Sequence, residues 1–329
     1  MSAPLIDIQG LSISLRTRDG LKRVVSDVSF TVAPGEALGI VGESGSGKTL
    51  SMLSLLQLLP PGAVAHAHRA LYDGRDLLGQ SRLQMSGIRG REIAFVFQDS
   101  LTALNPVITI GRQITEVLRL HFSLSAADAQ QRTAELLAKV GIPDPSLRMR
   151  QYPHEFSGGM RQRVCIAMAL AGEPRILIAD EPTTALDVTV QAEIVNLIQQ
   201  LQRDSGLTVI WVTHDLALLA RIADRVIVMY GGRVMEDAAA RDLFEAPRHP
   251  YAAALLSSVR HDAAPRVPAT LAAAQAVSAP AAAGCPFTPR CPEAHDRCRS
   301  SAPPLLNVAD GTRVACWARD RAPPGSVAS

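Results

Sequence analysis

No stretch of the 329-residue sequence approaches the roughly 18 consecutive apolar residues that a membrane-spanning helix needs. Net charge is nearly absent as well: at +2, with 19% charged residues and no Lys/Arg run, the chain lacks the basic stripe of a nucleic-acid binder. The opening Met1-Ser2-Ala3-Pro4-Leu5-Ile6-Asp7 has neither the basic cluster nor the apolar core of a secretory leader, and there is no internal repeat. A cytosolic chain is expected, which serves a membrane process only by docking on separate membrane subunits. The length suits one large α/β domain of about 250 residues plus an appendage.

What is present begins with Gly42-Glu43-Ser44-Gly45-Ser46-Gly47-Lys48-Thr49, which fits the phosphate-loop pattern. An apolar, strand-like Ala37 to Val41 precedes it, and a helix-like Leu50 to Leu59, stopped by Pro60-Pro61-Gly62, follows. The glycines let successive backbone N–H groups turn toward a polyphosphate. Lys48 reaches the outer phosphates, and the Thr49 hydroxyl ligates Mg²⁺ at a helix start whose dipole favours an anion. A bound nucleoside triphosphate is expected.

Arg175 to Asp180 then reads as an apolar, buried parallel strand ending in two carboxylates, Asp180 and Glu181. Asp180 suits the metal; Glu181, just past the strand, suits the base that polarises an attacking water. Between these motifs lies Phe156-Ser157-Gly158-Gly159-Met160-Arg161-Gln162-Arg163, a serine and two glycines ahead of a helical run from Met160 to Ala171. Such a start exposes N–H groups and a hydroxyl to a phosphate.

These motifs, in this order, resemble those of ABC transporter ATPases, over residues 5 to about 257. The resemblance implies an α/β P-loop NTPase core with an antiparallel β-subdomain and a helical subdomain. It makes Ser157, Gly158, Gly159 and Met160 the signature that meets the other subunit's ATP. Gln98, after the strand-like Glu92 to Phe97, matches the glutamine that touches Mg²⁺ or water. Asp187 of Ala185-Leu186-Asp187 matches the loop that reaches across the dimer. His214, after the strand-like Leu207 to Thr213, matches the γ-phosphate sensor. Mg²⁺ is then shared by Thr49, Gln98 and Asp180. Where the family usually stacks an aromatic residue on adenine, this sequence has Leu15 beside Arg16; ATP is the expected nucleotide, held on an aliphatic or guanidinium surface.

Along the chain, Leu5 to Leu15 and Val24 to Val32 read as strands joined at Arg18-Asp19-Gly20, and Ala70 to Leu77 as a hairpin around Asp73-Gly74. Residues 100 to 160 switch to helical periodicity, in Ile110 to Leu120 and Ala126 to Val140, which predicts the helical subdomain. Strands flank Gly231-Gly232 over Arg225 to Met235. Residues 1–257 are taken as the nucleotide-binding domain. Residues 258–329 are taken as an Ala/Pro-rich linker, clearest at 261–283, and a small Cys-rich extension.

Four of the five cysteines, Cys285, Cys291, Cys298 and Cys316, fall in that extension, while Cys165 sits in the helix after the signature and reads as core. Clustered thiols in a cytosolic protein favour metal over disulfides. Their spacings, with five, six and seventeen residues between successive cysteines, are wider than those of zinc knuckles and lack the tight ferredoxin run. Cluster, zinc and unligated thiols all stay open on spacing. His249-Pro250-Tyr251, with the Cys-Pro-x-x-Pro-Arg-Cys tail, resembles the oligopeptide/dipeptide permease ATPases, whose extension is associated with a [4Fe–4S] cluster. Leu104-Asn105-Pro106, Gln151 to Glu155 and Thr183 to Thr189 share that likeness, and Phe156 to Met160 resembles the first of the two paired ATPases.

The resemblance therefore implies an ATP-hydrolysing subunit of an importer for di- or oligopeptides, peripheral on the cytoplasmic face of the inner membrane. Its implied partners are a second, homologous ATPase in a heterodimer, two permease subunits and an extracytoplasmic solute-binding protein, with no nucleic acid. The alternatives are an importer for nickel or another non-peptide solute, and a soluble ABC ATPase outside transport.

Overall fold

The computed structural model describes residues 3–18, 20–184, 186–257, 283–309 and 311–319. Asp19, Ala185 and residues 261–282 of the expected linker lie outside them. In chain order, β1 (Ile6–Thr17), β2 (Gly20–Val32) and β3 (Ala37–Val41) lead into α1 (Lys48–Leu55). Next come β4 (Ala63–His66), β5 (Arg69–Tyr72), β6 (Arg75–Asp76), α2 (Arg82–Ile88) and β7 (Ile93–Val96). Helices α3 (Ser100–Ala103), α4 (Ile110–His121), α5 (Ala126–Lys139), α6 (Pro145–Arg148) and α7 (Gly158–Leu170) then precede β8 (Ile176–Asp180), α8 (Val188–Ser205) and β9 (Thr208–Thr213). The remainder is α9 (Leu216–Ile222), β10 (Arg225–Tyr230), β11 (Arg233–Ala239), α10 (Ala240–Glu245), α11 (Pro250–Ser257), α12 (Asp296–Ser300), β12 (Leu306–Ala309) and β13 (Thr312–Val314).

The chain divides into two compact units, one of residues 1–5, 33–36 and 74–212, the other of residues 6–32, 37–73 and 213–329. In the first, β7, β8 and β9 pair in parallel, with Ile178 opposite both Phe95 and Ile210. Every residue of β8 and β9 is buried, which is why their sequences are continuous, largely apolar runs rather than alternating ones. Helix α4 turns Ile110, Ile114 and Leu118 inward and α5 turns Ala129, Thr133 and Leu137 inward, both at four-residue spacing. A hydroxyl contact of 3.0 Å between Thr115 and Thr133 joins the two helices. The signature helix α7 opens at Gly158, two residues before the expected start, because Ser157 accepts the Met160 N–H and caps it there.

In the second unit, β1 pairs antiparallel with β2 on one side and with β4 and β5 on the other. Its inward residues Ile6, Ile8, Leu11 and Ile13 change register between Ile8 and Leu11, where Gly10 takes φ 66. Strand β3 pairs in parallel with β10, which pairs antiparallel with β11. Helix α1 is shorter than its apolar run suggests: it ends at Leu55 as Gln57 enters the left-handed region at φ 51.

The described part of the Cys-rich extension forms regular structure that its composition does not suggest. Strand β13 pairs antiparallel with β11, Glu236 opposite Val314, and β12 pairs with β13. Arg313 of β13 ion-pairs with buried Asp237 of β11, which also takes Arg225 Nε at 2.6 Å. Phe287 is fully buried against Tyr230 and Tyr251, with ring centroids 5.4 and 5.3 Å away. A short segment without a core of its own thus borrows a sheet edge and an aromatic cluster from the rest of its unit.

Candidate nucleotide site

The phosphate loop leaves β3 at Gly42, where no side chain fits: a Cβ there would lie 2.1 Å from the Met229 carbonyl oxygen. Ser46 N–H turns back to the Glu43 carbonyl at 3.1 Å, and Gly47, at φ 94, opens α1. Buried Lys48 sends its ammonium to the Gly42 and Glu43 carbonyls at 2.7 and 3.2 Å, which arches it over the loop. Ser44, Gly45 and Thr49 are exposed along the rim. Ser46 Oγ is buried and has no hydrogen-bond partner among the described residues. An anion suits such a loop: its N–H groups, its lysine and a helix start all present positive charge, and Thr49 offers an oxygen to a metal. His214 stands exposed in the same unit, at the carboxyl end of β9. It precedes Asp215, which caps α9 by accepting the Leu218 N–H at 3.0 Å.

The first unit holds the carboxylates. Asp180 ends β8 almost fully buried. Glu181 follows in the left-handed region at φ 45, its N–H tied to the Val212 carbonyl at 2.7 Å. A non-glycine residue seldom holds this conformation without surrounding structure to enforce it. Here it turns the side chain out of the strand, where Oε2 accepts from Gln98 Nε2 and from Thr184 Oγ1, each at 3.0 Å. Gln98 and Glu181 are thus brought together; Thr184 was missed, for a threonine in a loop gives no signal of its own.

The signature and the dimer loop also meet. A Cβ on Gly159 would lie 2.5 Å from Val190 Cγ1, and one on Gly158 3.3 Å from Leu186. The two glycines let the start of α7 press against the start of α8, which Asp187 caps through the Val190 N–H at 3.0 Å. Gln191, also unforeseen, pins the loop by donating to the Thr183 and Leu186 carbonyls at 3.1 and 3.0 Å.

Cys285, Cys291, Cys298 and Cys316 line one small cavity, together with His249, Glu293 and Trp317. The Cys285 N–H donates to the Cys298 carbonyl at 2.8 Å. Burial raises the Cys285 and Cys316 thiols above their ordinary range and pushes Cys291 up to about 11. Among the described residues, no group of three or more His, Cys, Asp or Glu side chains is arranged to hold a metal ion. Cys165 is core, as expected: burial, then the charge of Asp99, pushes its thiol up to about 12.

Leu15 lies half-buried on β1, opposite Lys22 and Ala63, with Arg16 exposed beside it. Two further contacts in this unit had no local sequence signal. Tyr251 Oη accepts the Glu43 N–H at 3.1 Å, and Arg290 reaches both Glu43 carboxylate oxygens at 2.9 and 3.0 Å.

Residues 25–184 match the ABC transporter family. The ATP-binding cassette MJ0796, solved as a dimer in a post-hydrolysis state with ADP and Pi, aligns with a TM-score of 0.64 at 26% identity, covering 72% of this chain and 99% of its own. Fold and site together define an ABC ATPase, which binds ATP with Mg²⁺ and hydrolyses it. Residues 235–298 match the oligopeptide/dipeptide transporter C-terminal region. The dipeptide transport ATP-binding protein DppD of Bacillus subtilis is 44% identical over 96% of this chain and 95% of its own length, and the oligopeptide transport ATP-binding protein OppD of Escherichia coli is 45% identical over 95% and 93%. The chain belongs to the family of oligopeptide/dipeptide ABC transporter ATP-binding subunits.

Proposed function

We propose that this chain energises the import of di- or oligopeptides from the cytoplasmic face of the inner membrane. The reading is supported by relatives named for dipeptide and oligopeptide transport that align over nearly the whole chain, tail included. Among the described residues no helix is long and apolar enough to cross a membrane. Translocation then falls to two permease subunits fed by an extracytoplasmic binding protein, with a homologous second ATPase completing a heterodimer. Residues 1–257 form the nucleotide-binding domain, with its helical subdomain at about 100–160, and residues 258–329 the linker and extension.

Within the ATP cycle, Gly42 to Gly47 cradle the phosphates, Lys48 neutralises them, and Thr49, Asp180 and Gln98 serve Mg²⁺. Glu181 accepts the proton of the attacking water, and His214 senses the γ-phosphate. Ser157, Gly158, Gly159 and Met160 serve the partner's ATP, with Asp187 at the dimer loop. One observation carries the hydrolytic role: Glu181 is turned out of β8 by a left-handed backbone and held by two donors on one oxygen. Catalysis is then positioning and charge stabilisation.

The four tail thiols are the proposed ligands of a [4Fe–4S] cluster, on the likeness of this extension to that of the oligopeptide/dipeptide permease ATPases. Zinc gathers four sulfurs about one ion at about 2.3 Å, whereas in a four-iron cluster each thiolate takes its own iron and the sulfurs stand farther apart. Four cysteines lining one cavity give such a group a common place to bind. The group would tie the extension's loops together.

In liposomes carrying the permeases, ATP hydrolysis should rise when the binding protein is loaded with peptide. A rise only with nickel or another non-peptide solute would replace the substrate class, and a rate indifferent to the permeases would overturn the transport reading.

A further inference from the structure

Glu43, the second residue of the phosphate loop, is held at three points. Its N–H donates to Tyr251 Oη at 3.1 Å, its carbonyl accepts from Lys48 Nζ at 3.2 Å, and its carboxylate accepts from Arg290 Nη1 at 2.9 and 3.0 Å. Arg290 comes from the Cys-rich extension, at the end of the single turn Thr288–Arg290 between Cys285 and Cys291. Its guanidinium also donates to Tyr230 Oη at 3.3 Å and lies 5.6 and 5.8 Å from the centroids of the Tyr230 and Phe287 rings. Gly231 makes room for this docking, since a Cβ there would lie 2.7 Å from Pro286.

A carboxylate is a poor neighbour for a polyphosphate. Of the four variable positions in this loop, Glu43, Ser44, Gly45 and Ser46, only Glu43 carries charge. The same carbonyl through which Glu43 meets Lys48 belongs to the residue whose side chain Arg290 covers, so backbone and charge are controlled at one point. Arg290 is largely shielded, at 17% exposure against 42% for Glu43, which spares the pair part of the screening that weakens surface ion pairs.

We propose that Arg290 is a positioning residue for ATP: acting through Glu43, it cancels the one negative charge of the phosphate loop and, with Tyr251, fixes the loop's first turn. The extension thereby sets the affinity of the ATP site although it contributes no residue to the phosphate-binding motif. This rests on ATP binding by the loop and is independent of any metal in the tail.

The test is a charge ladder in the full-length chain, read as Mg-ATP affinity at low and high salt, with each variant's melting temperature alongside. Arg290→Met keeps the aliphatic stem over the rings and leaves Glu43 uncompensated, so affinity should fall about three- to tenfold at low salt. Glu43→Gln removes one negative charge from the loop and should bind more tightly than wild type. The double variant should return to within about twofold of wild type, and all four proteins should converge at high salt. A purely architectural Arg290 would lose affinity equally in both Glu43 backgrounds and without salt dependence. That result, or an Arg290→Met protein binding as wild type does, overturns the proposal. Should Arg290→Met fail to fold, Glu43→Gln alone decides, because binding no tighter than wild type contradicts the charge argument.

Discussion

Gln98 donates its side-chain amide to Glu181 Oε2 across 3.0 Å, and Thr184 adds a second donor to the same oxygen at the same distance. Two donors on one oxygen fix the plane of the carboxylate, so that a water meeting it is held in one orientation instead of many.

Glu181→Gln keeps the shape but removes the proposed base. Turnover, followed by phosphate release, should fall by about 10² or more, while ATP affinity stays within about twofold of wild type. Thr184→Val removes only one of the two donors and should slow turnover by about three- to tenfold at unchanged ATP affinity. Near-normal hydrolysis by Glu181→Gln would sink the assignment of the base.

If Leu15 stands where adenine lies, as we propose, the base has no ring to stack on, and stacking is worth about 1–3 kcal/mol per base where it occurs. GTP should therefore compete with ATP to within roughly tenfold. Competition binding checks this; an ATP preference above about a hundredfold would mean that another group reads the base.

Chain purified without oxygen should be brown, with about four iron and four sulfide per molecule. Each of Cys285→Ser, Cys291→Ser, Cys298→Ser and Cys316→Ser should abolish the colour, and Cys165→Ser should not. One equivalent of zinc in colourless protein would replace the cluster, and no metal at all would refute both.

Cys165 gives a pH effect of definite sign. Its folded pKa, about 12, lies above the ordinary thiol value of 9.0, so between these values the folded chain holds a proton that the unfolded chain has lost. Stability from this group is complete below the ordinary value and drains away as pH rises, by about 1 kcal/mol one unit above it. Denaturation at rising pH should show Cys165→Ala losing less stability than wild type across this window; parallel slopes would contradict a buried, protonated thiol.

Most of the architecture could be read because local chemistry decides it. The largely apolar runs of β8 and β9 belong to strands covered on both faces, and the inward stripes of α4 and α5 repeat every four residues. Boundaries slipped where a single residue overrode the pattern: Ser157 capped α7 two positions early, and left-handed Gln57 cut α1 short of its apolar run. Strand β4 went unseen, since Ala63–His66 is brief and follows directly on Pro60-Pro61-Gly62. Strands β12 and β13 were invisible for a different reason: at four and three residues they are too short to show a period, and β13 finds its partner in β11, far back in the chain. Thr184, Gln191, Tyr251 and Arg290 belong with these, because each acts on residues whose proximity only the folded chain creates.

The pairing of β13 with β11 orders events during synthesis. Strand β11 offers an open edge as soon as it emerges from the ribosome, yet the segment that covers it, beginning at Thr312, is made only after the chain has run on well past Ala239. An exposed edge is an invitation to foreign strands, and a long-range pairing forms slowly. The nascent chain therefore passes through a stage in which most of its core is built and one flank is bare, and a chain halted before residue 306 would carry that bare flank permanently.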